Sequence, residues 1–128
     1  GEHGSTFGGN PLACAVAKAS LEVVVEEKLC ENAFELGNYF RQQMTEIISK
    51  TNWVNQVRGK GLLNAIIIND TPDSSTAWEI CMALKENGLL AKPTHGNIIR
   101  FAPPLVMTKE QMTDCVAIIR KTLLEFKK

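Results

Sequence analysis

Residues 12–25, LACAVAKASLEVVV, constrain the fold of this chain more than any other run, because only Lys18, Ser20 and Glu22 interrupt them with clearly polar side chains. Asn10-Pro11 opens the run. Asn is a favoured N-cap, and Pro suits the first helical position, where its missing N–H would be unpaired in any case. The run therefore reads as a helix. A helix that is apolar nearly all round has to be covered on most sides, and the few elements that 128 residues supply are too few to cover it. The expectation is a helix packed against protein outside this chain, and self-association if that protein is absent. The opening Gly1-Glu2-His3-Gly4-Ser5-Thr6 reads as the middle of a loop, so the natural beginning is expected upstream.

The remaining residues carry clearer periodicities. Leu29, Ala33, Leu36, Phe40, Met44 and Ile47 recur at three- and four-residue steps and predict a second helix over 29–48. Residues 53–58 and 62–68 are β-rich and separated by Gly59-Lys60-Gly61, which predicts a hairpin. Thr76 with Glu79 three residues on predicts a capping box for a third helix, with Ala77, Ile80, Cys81 and Leu84 inward and an end near Asn87-Gly88. Short apolar runs at 89–91 and 98–101 predict two more strands, with Pro93 and Gly96 in the turn between them. Thr108 and Gln111 cap a last helix with the stripe Met112, Cys115, Val116, Ile119, Leu123 and Phe126. The order α-α-β-β-α-β-β-α predicts the α+β class: a small, mostly antiparallel sheet with helices on one face, preceded by a long N-terminal helix.

Fourteen basic residues balance fourteen acidic ones, which leaves no net field to steer the chain onto nucleic acid or an anionic membrane. No stretch approaches the roughly 18 apolar residues needed to span a bilayer. Cys14, Cys30, Cys81 and Cys115 form no CxxC pair, and each falls on or beside the apolar face of a predicted helix, as free cysteine does. Reduced thiols point to an intracellular compartment.

Three places invite chemistry. In Ser5-Thr6-Phe7-Gly8-Gly9-Asn10-Pro11, two hydroxyls and two glycines precede a helix N-terminus, where free N–H groups favour an anion; the same residues are also an ordinary loop-to-helix junction. Arg100 sits between Ile99 and Phe101, where its planar guanidinium either captures a carboxylate or points to solvent. His95, in Lys92-Pro93-Thr94-His95-Gly96, reads as an exposed loop residue, and neither it nor His3 has a partner at metal-ligand spacing, so no metal site is expected. Gly59-Lys60-Gly61 lacks the context of a phosphate loop and reads as a turn.

Three segments carry a resemblance to the class III, fold-type I aminotransferases. Residues 1–12, GEHGSTFGGNPL, resemble the motif that follows the catalytic lysine in that family; 57–62, VRGKGL, resemble the start of its small-domain sheet; 98–105, IIRFAPPL, resemble its C-terminal arginine motif. They stand in the family's order, and the similarity covers essentially the whole chain. Residues 88–96, GLLAKPTHG, together with Glu2-His3-Gly4, resemble the ornithine branch.

The resemblance implies a C-terminal portion of an enzyme that passes the δ-amino group of ornithine to 2-oxoglutarate through pyridoxal phosphate, giving glutamate semialdehyde and glutamate. It implies that Thr6, with Ser5 beside it, binds the phosphate of a cofactor held mainly by the neighbouring subunit of a homo-oligomer. Arg100 would bind the substrate α-carboxylate and pair with an upstream glutamate while ornithine is bound. No role carries over to Lys92 or His95. Residues 1–27 would be the cofactor-phosphate loop and interdomain helix, and 28–128 the C-terminal small domain. The Schiff-base lysine is expected upstream of Gly1, so the isolated chain is expected to bind the cofactor poorly and to be inactive. A bacterial member would be cytoplasmic and a eukaryotic one mitochondrial. Two rivals stand beside this reading: an acetylornithine or 4-aminobutyrate aminotransferase, and a free-standing regulatory module that binds an amino acid through Arg100 and the anion loop.

Overall fold

The computed structural model describes residues 3–128; Gly1 and Glu2, the first two residues of the GEHG motif, lie outside the described residues. Four helices and four strands follow in the expected order: α1 (Pro11–Glu26), α2 (Leu29–Ile48), β1 (Val54–Lys60), β2 (Leu63–Ile68), α3 (Thr76–Glu86), β3 (Lys92–Thr94), β4 (Ile98–Phe101) and α4 (Lys109–Glu125). The strands form one fully antiparallel sheet in the order β1-β2-β4-β3. The α+β expectation is met.

Helices α2, α3 and α4 pack together on one face of this sheet, while α1 packs on α2. The α2 stripe Leu29, Ala33, Leu36, Phe40, Met44 and Ile47 is buried throughout, as is Gly37. From the sheet, Ile66, Ile68, Ile99 and Phe101 point into the same core, with the Phe40 and Phe101 rings 5.4 Å apart. Ala77, Ile80, Cys81 and Leu84 of α3 and Met112, Val116, Ile119 and Leu123 of α4 complete it. Trp53 stands edge-on to Phe126 and donates its indole N–H to the Phe126 carbonyl at 3.1 Å, tying the start of β1 to the end of α4.

Local signals explain most boundaries. Asn10 caps α1 by accepting from the Ala13 N–H, with Pro11 at the first position. Thr108 and Gln111 form the reciprocal capping box of α4. The hairpin is tighter than the three-residue separator suggested. β1 runs through Gly59 and Lys60, and Lys60 pairs with Leu63 across a two-residue loop. Gly61 opens that loop with φ +54°, a conformation that glycine adopts without strain. In β1 the register slips between Val54 and Gln56.

Two expectations are corrected. The capping pair at the start of α3 is shifted: Ser75 is the N-cap and its hydroxyl donates to Glu79, while the Thr76 hydroxyl turns inward to the Asp70 carboxylate. The third strand is not 89–91 but β3, three residues later. The Gly88 N–H reaches the Lys85 carbonyl and the Leu89 N–H reaches the Leu84 carbonyl, so this apolar run closes α3 in a Schellman arrangement, with Leu89 as its buried anchor.

The first helix behaves as its composition demands. No residue of α1 is buried; Leu12, Leu21 and Val25 are 75%, 68% and 75% exposed. The cysteine expectation holds only in part. Cys81 is buried and Cys115 half-buried, but Cys14 and Cys30 are exposed. Among the described residues nothing covers the α1 face that carries Cys14, and Cys30 sits one position off the α2 stripe. All four are free thiols. Among the described residues no helix is long and apolar enough to cross a membrane.

Candidate functional site

Strand alternation settles which way Arg100 points. Its neighbours Ile99 and Phe101 are buried among the helices, so Arg100 and Ile98 face the other side of the sheet, which no helix covers among the described residues. Arg100 is exposed, and among the described residues its guanidinium has no hydrogen bond or ion pair.

The antiparallel register determines what surrounds it. Ala65 pairs with Arg100 on one side and with Arg58 on the other, and Lys92 pairs with Arg100 from β3. Arg58, Ala65, Arg100 and Lys92 thus form one row across the open face. A shallow cleft of about 390 Å³ lies there, lined by Arg58, Lys60, Ala65, Thr94, Ile98 and Arg100 among others. A surface of this kind, cationic and with planar donors, suits a carboxylate. Reading the sequence one strand at a time singled out Arg100 and missed Arg58, because only the pairing register shows that the two share a face.

The hairpin beneath this row is held from the helix side. Asn64 is buried and donates to the Gly61 carbonyl at 3.0 Å, while the Arg41 guanidinium donates to Asn64 Oδ1 at 2.7 Å and to the Gly61 carbonyl at 3.1 Å. A Cβ on Gly37 would stand 1.9 Å from the Gly61 oxygen, so only glycine lets α2 approach the turn this closely. A Cβ on Gly59 would stand 2.2 Å from Asn64 Oδ1. These contacts position the strand residues next to the turn, including Arg58.

His95 proves to be a turn residue. It has φ +49°, it is exposed, and its Nδ1 lies 3.0 Å from the Thr94 hydroxyl. Gly96 follows with φ +76°, packed so closely on the next loop that a Cβ would lie 1.8 Å from the Pro72 carbonyl. The Thr-His-Gly sequence therefore has a sufficient explanation in the backbone. Lys92 is exposed at the end of the cationic row.

Ser5 and Thr6 lie in the loop before α1, both exposed. The Asn10 N–H closes a turn on the Phe7 carbonyl at 3.1 Å, and Gly9 takes φ +78°. Asn10 already occupies the Ala13 N–H, so two hydroxyls without a partner among the described residues stand beside a partly capped helix N-terminus and can meet an anion. As hydroxyl donors they fit a phosphate. The cleft at Arg100 is not lined by Ser5 or Thr6, and within this chain the two candidate places are separate.

One strongly perturbed acid lies elsewhere. Asp70 accepts from the Thr76 hydroxyl, from Lys128 Nζ at 2.9 Å and from the Thr71 N–H at 2.7 Å. These partners, the Thr76 hydroxyl foremost, hold its carboxyl well below the usual carboxylate range. The cluster ties the C-terminal residue to the loop before α3, away from the open sheet face.

The class-III aminotransferase family matches residues 1–123. The chain belongs to that family. Among its class-III relatives, the mitochondrial ornithine aminotransferase of Drosophila melanogaster is 61% identical over 97% of this chain, which spans 28% of that protein. An acetylornithine aminotransferase of known structure, from Elizabethkingia anophelis, is 72% identical with a TM-score of 0.93, over 98% of this chain and 31% of that one. The ornithine aminotransferase of Toxoplasma gondii, whose structure has partial occupancy of PLP at its active site, is 47% identical with a TM-score of 0.84, over 97% of this chain and 29% of that one. The chain thus spans less than a third of the length of these class-III aminotransferases.

Proposed function

We propose that this chain is the carboxylate-recognising part of a pyridoxal-phosphate-dependent ornithine δ-aminotransferase. The observation that carries the reading is Arg100: a guanidinium without a partner among the described residues, in a cationic cleft on the sheet of a class-III aminotransferase chain. Its two parallel N–H donors match the α-carboxylate of glutamate and 2-oxoglutarate and fix the orientation of the rest of the substrate. The Ser5 and Thr6 hydroxyls donate to the cofactor phosphate across a subunit boundary, which accounts for their separation from Arg100. Pyridoxal phosphate, when bound, supplies the electron sink for amino-group transfer. The overall reaction takes the δ-amino group of ornithine to 2-oxoglutarate, leaving glutamate semialdehyde and glutamate. Residues 1–27 serve as phosphate loop and interdomain helix, and 28–128 as the small domain of a homo-oligomer. The exposed apolar surface of α1 supports that division. A mitochondrial location follows if the source is eukaryotic, in line with the naming of the Drosophila relative, and a cytoplasmic one if it is bacterial.

Ornithine-dependent formation of glutamate from 2-oxoglutarate, measured with the complete enzyme and with this chain alone, tests the reading. Activity is expected in the first and none in the second, because no lysine stands in the motif that would hold the cofactor covalently. A stoichiometric cofactor–lysine adduct trapped by reduction on this chain alone would overturn the second half.

One observation favours a second substrate. The 72% identical relative is named an acetylornithine aminotransferase. Against it stands the segment 88–96, GLLAKPTHG, which resembles the ornithine branch. Comparing N-acetylornithine, 4-aminobutyrate and ornithine as amino donors separates these enzymes.

A further inference from the structure

The open face of the sheet is more cationic than one carboxylate-binding arginine requires. Its cross-strand rows are Lys60–Leu63, then Arg58–Ala65–Arg100–Lys92, then Gln56–Ile67–Ile98–Thr94. Four positive side chains share these rows with no aspartate or glutamate, although the chain as a whole has as many acids as bases. Like charges brought together on one face repel, and none of the four is neutralised within the described residues.

We propose that Arg58 is a second carboxylate-binding residue, holding the substrate carboxylate jointly with Arg100 above Ala65. Strands stand about 4.8 Å apart, so the two Cα atoms are separated by roughly 10 Å with one residue between. That residue is alanine, whose methyl group leaves the space between the side chains open and forms the floor of the cleft they both line. Each guanidinium bends inward over this floor to meet an anion that neither would hold alone. Arg58 is better suited than the other cations: Lys92 does not line the cleft, and the Lys60 ammonium, one row away, lacks the planar fork. The Arg41–Asn64–Gly61 contacts fix the hairpin that presents Arg58, so the second arginine is positioned before substrate arrives.

This inference rests on the reading that the cleft receives the substrate carboxylate, and the test keeps the two apart. In the complete aminotransferase, Arg58→Gln, Arg58→Lys, Arg100→Gln and the Arg58→Gln/Arg100→Gln double variant are compared with the parent. The readouts are KM and kcat for 2-oxoglutarate and the calorimetric affinity for glutarate, a dicarboxylate that does not react. Loss of one charge-assisted pair weakens binding about ten-fold or more, so Arg58→Gln is expected to lower glutarate affinity and raise KM by that factor while kcat changes little. Arg58→Lys is expected to recover part of the loss. The double variant is expected to lose less than the product of the single losses, because both arginines act on one carboxylate. If Arg58→Gln keeps parental glutarate affinity and KM while Arg100→Gln loses both, the role of Arg58 is overturned and that of Arg100 stands. If neither substitution matters, the cleft itself is not the carboxylate site. Should Arg58→Gln fail to fold, unchanged glutarate affinity in Arg58→Lys overturns the proposal equally.

Discussion

Gly37 is the residue whose role the sequence conceals best. It sits on the buried side of α2, where glycine normally weakens a helix, and its value is the space it leaves for the Gly61 carbonyl. Gly37→Ala is expected to lower the urea midpoint by the equivalent of about 1–3 kcal/mol, since neither backbone can easily retreat. Asp70 gives a second residue-scale expectation. Its pKa is depressed in the folded chain, so its contribution is present above the ordinary carboxylate pKa and is lost as pH falls towards the depressed one. Thermal melts below about pH 4 should therefore show the parent losing stability more steeply than Asp70→Asn. Cys81, by contrast, is pushed up to about 11 by burial, and a thiol reagent at neutral pH should reach it only when the protein unfolds. The side of the sheet that Arg100 faces was legible, because a charge between two apolar strand residues must face away from them. The place of Arg58 in the same row was not, because it depends on pairing with residues far along the chain. The phosphate-binding role proposed for Ser5 and Thr6 rests on family resemblance alone, since their local geometry offers donors without naming the anion.

Elements were read most reliably from their apolar period, which the cap reinforced in α4. The α2 stripe, the inward face of α3 and the Thr108–Gln111 box of α4 appear as the spacing predicts. Thr108→Ala should cost about 1 kcal/mol, within the range of lost N-caps, readable as a shift in the unfolding midpoint. The misplaced third strand has a clear cause. Two leucines after a glycine look like the start of a strand, but Leu89 anchors the end of α3 and Leu90 is 84% exposed. The capping pair at α3 went astray for a similar reason: a threonine that looks like a cap was needed elsewhere, as the inward partner of Asp70. In both cases a local signal was real but served a tertiary contact that sequence spacing does not display.

At the scale of the whole molecule, α1 stands apart from the core that the other elements share. Because none of its residues is buried, removing residues 1–27 is expected to leave the cooperative unfolding of 28–128 nearly unchanged, as followed by circular dichroism. A broad loss of cooperativity would instead mean that α1 belongs to the folding unit. The sheet has two free edges, and each is blunted in its own way: β3 is three residues long with Pro93 at its centre, and β1 slips register between Val54 and Gln56. Short, interrupted edges are poor templates for another strand. Copies of this domain at high concentration should therefore meet without one sheet growing into the next, so that crowding alone carries little danger of seeding fibrils.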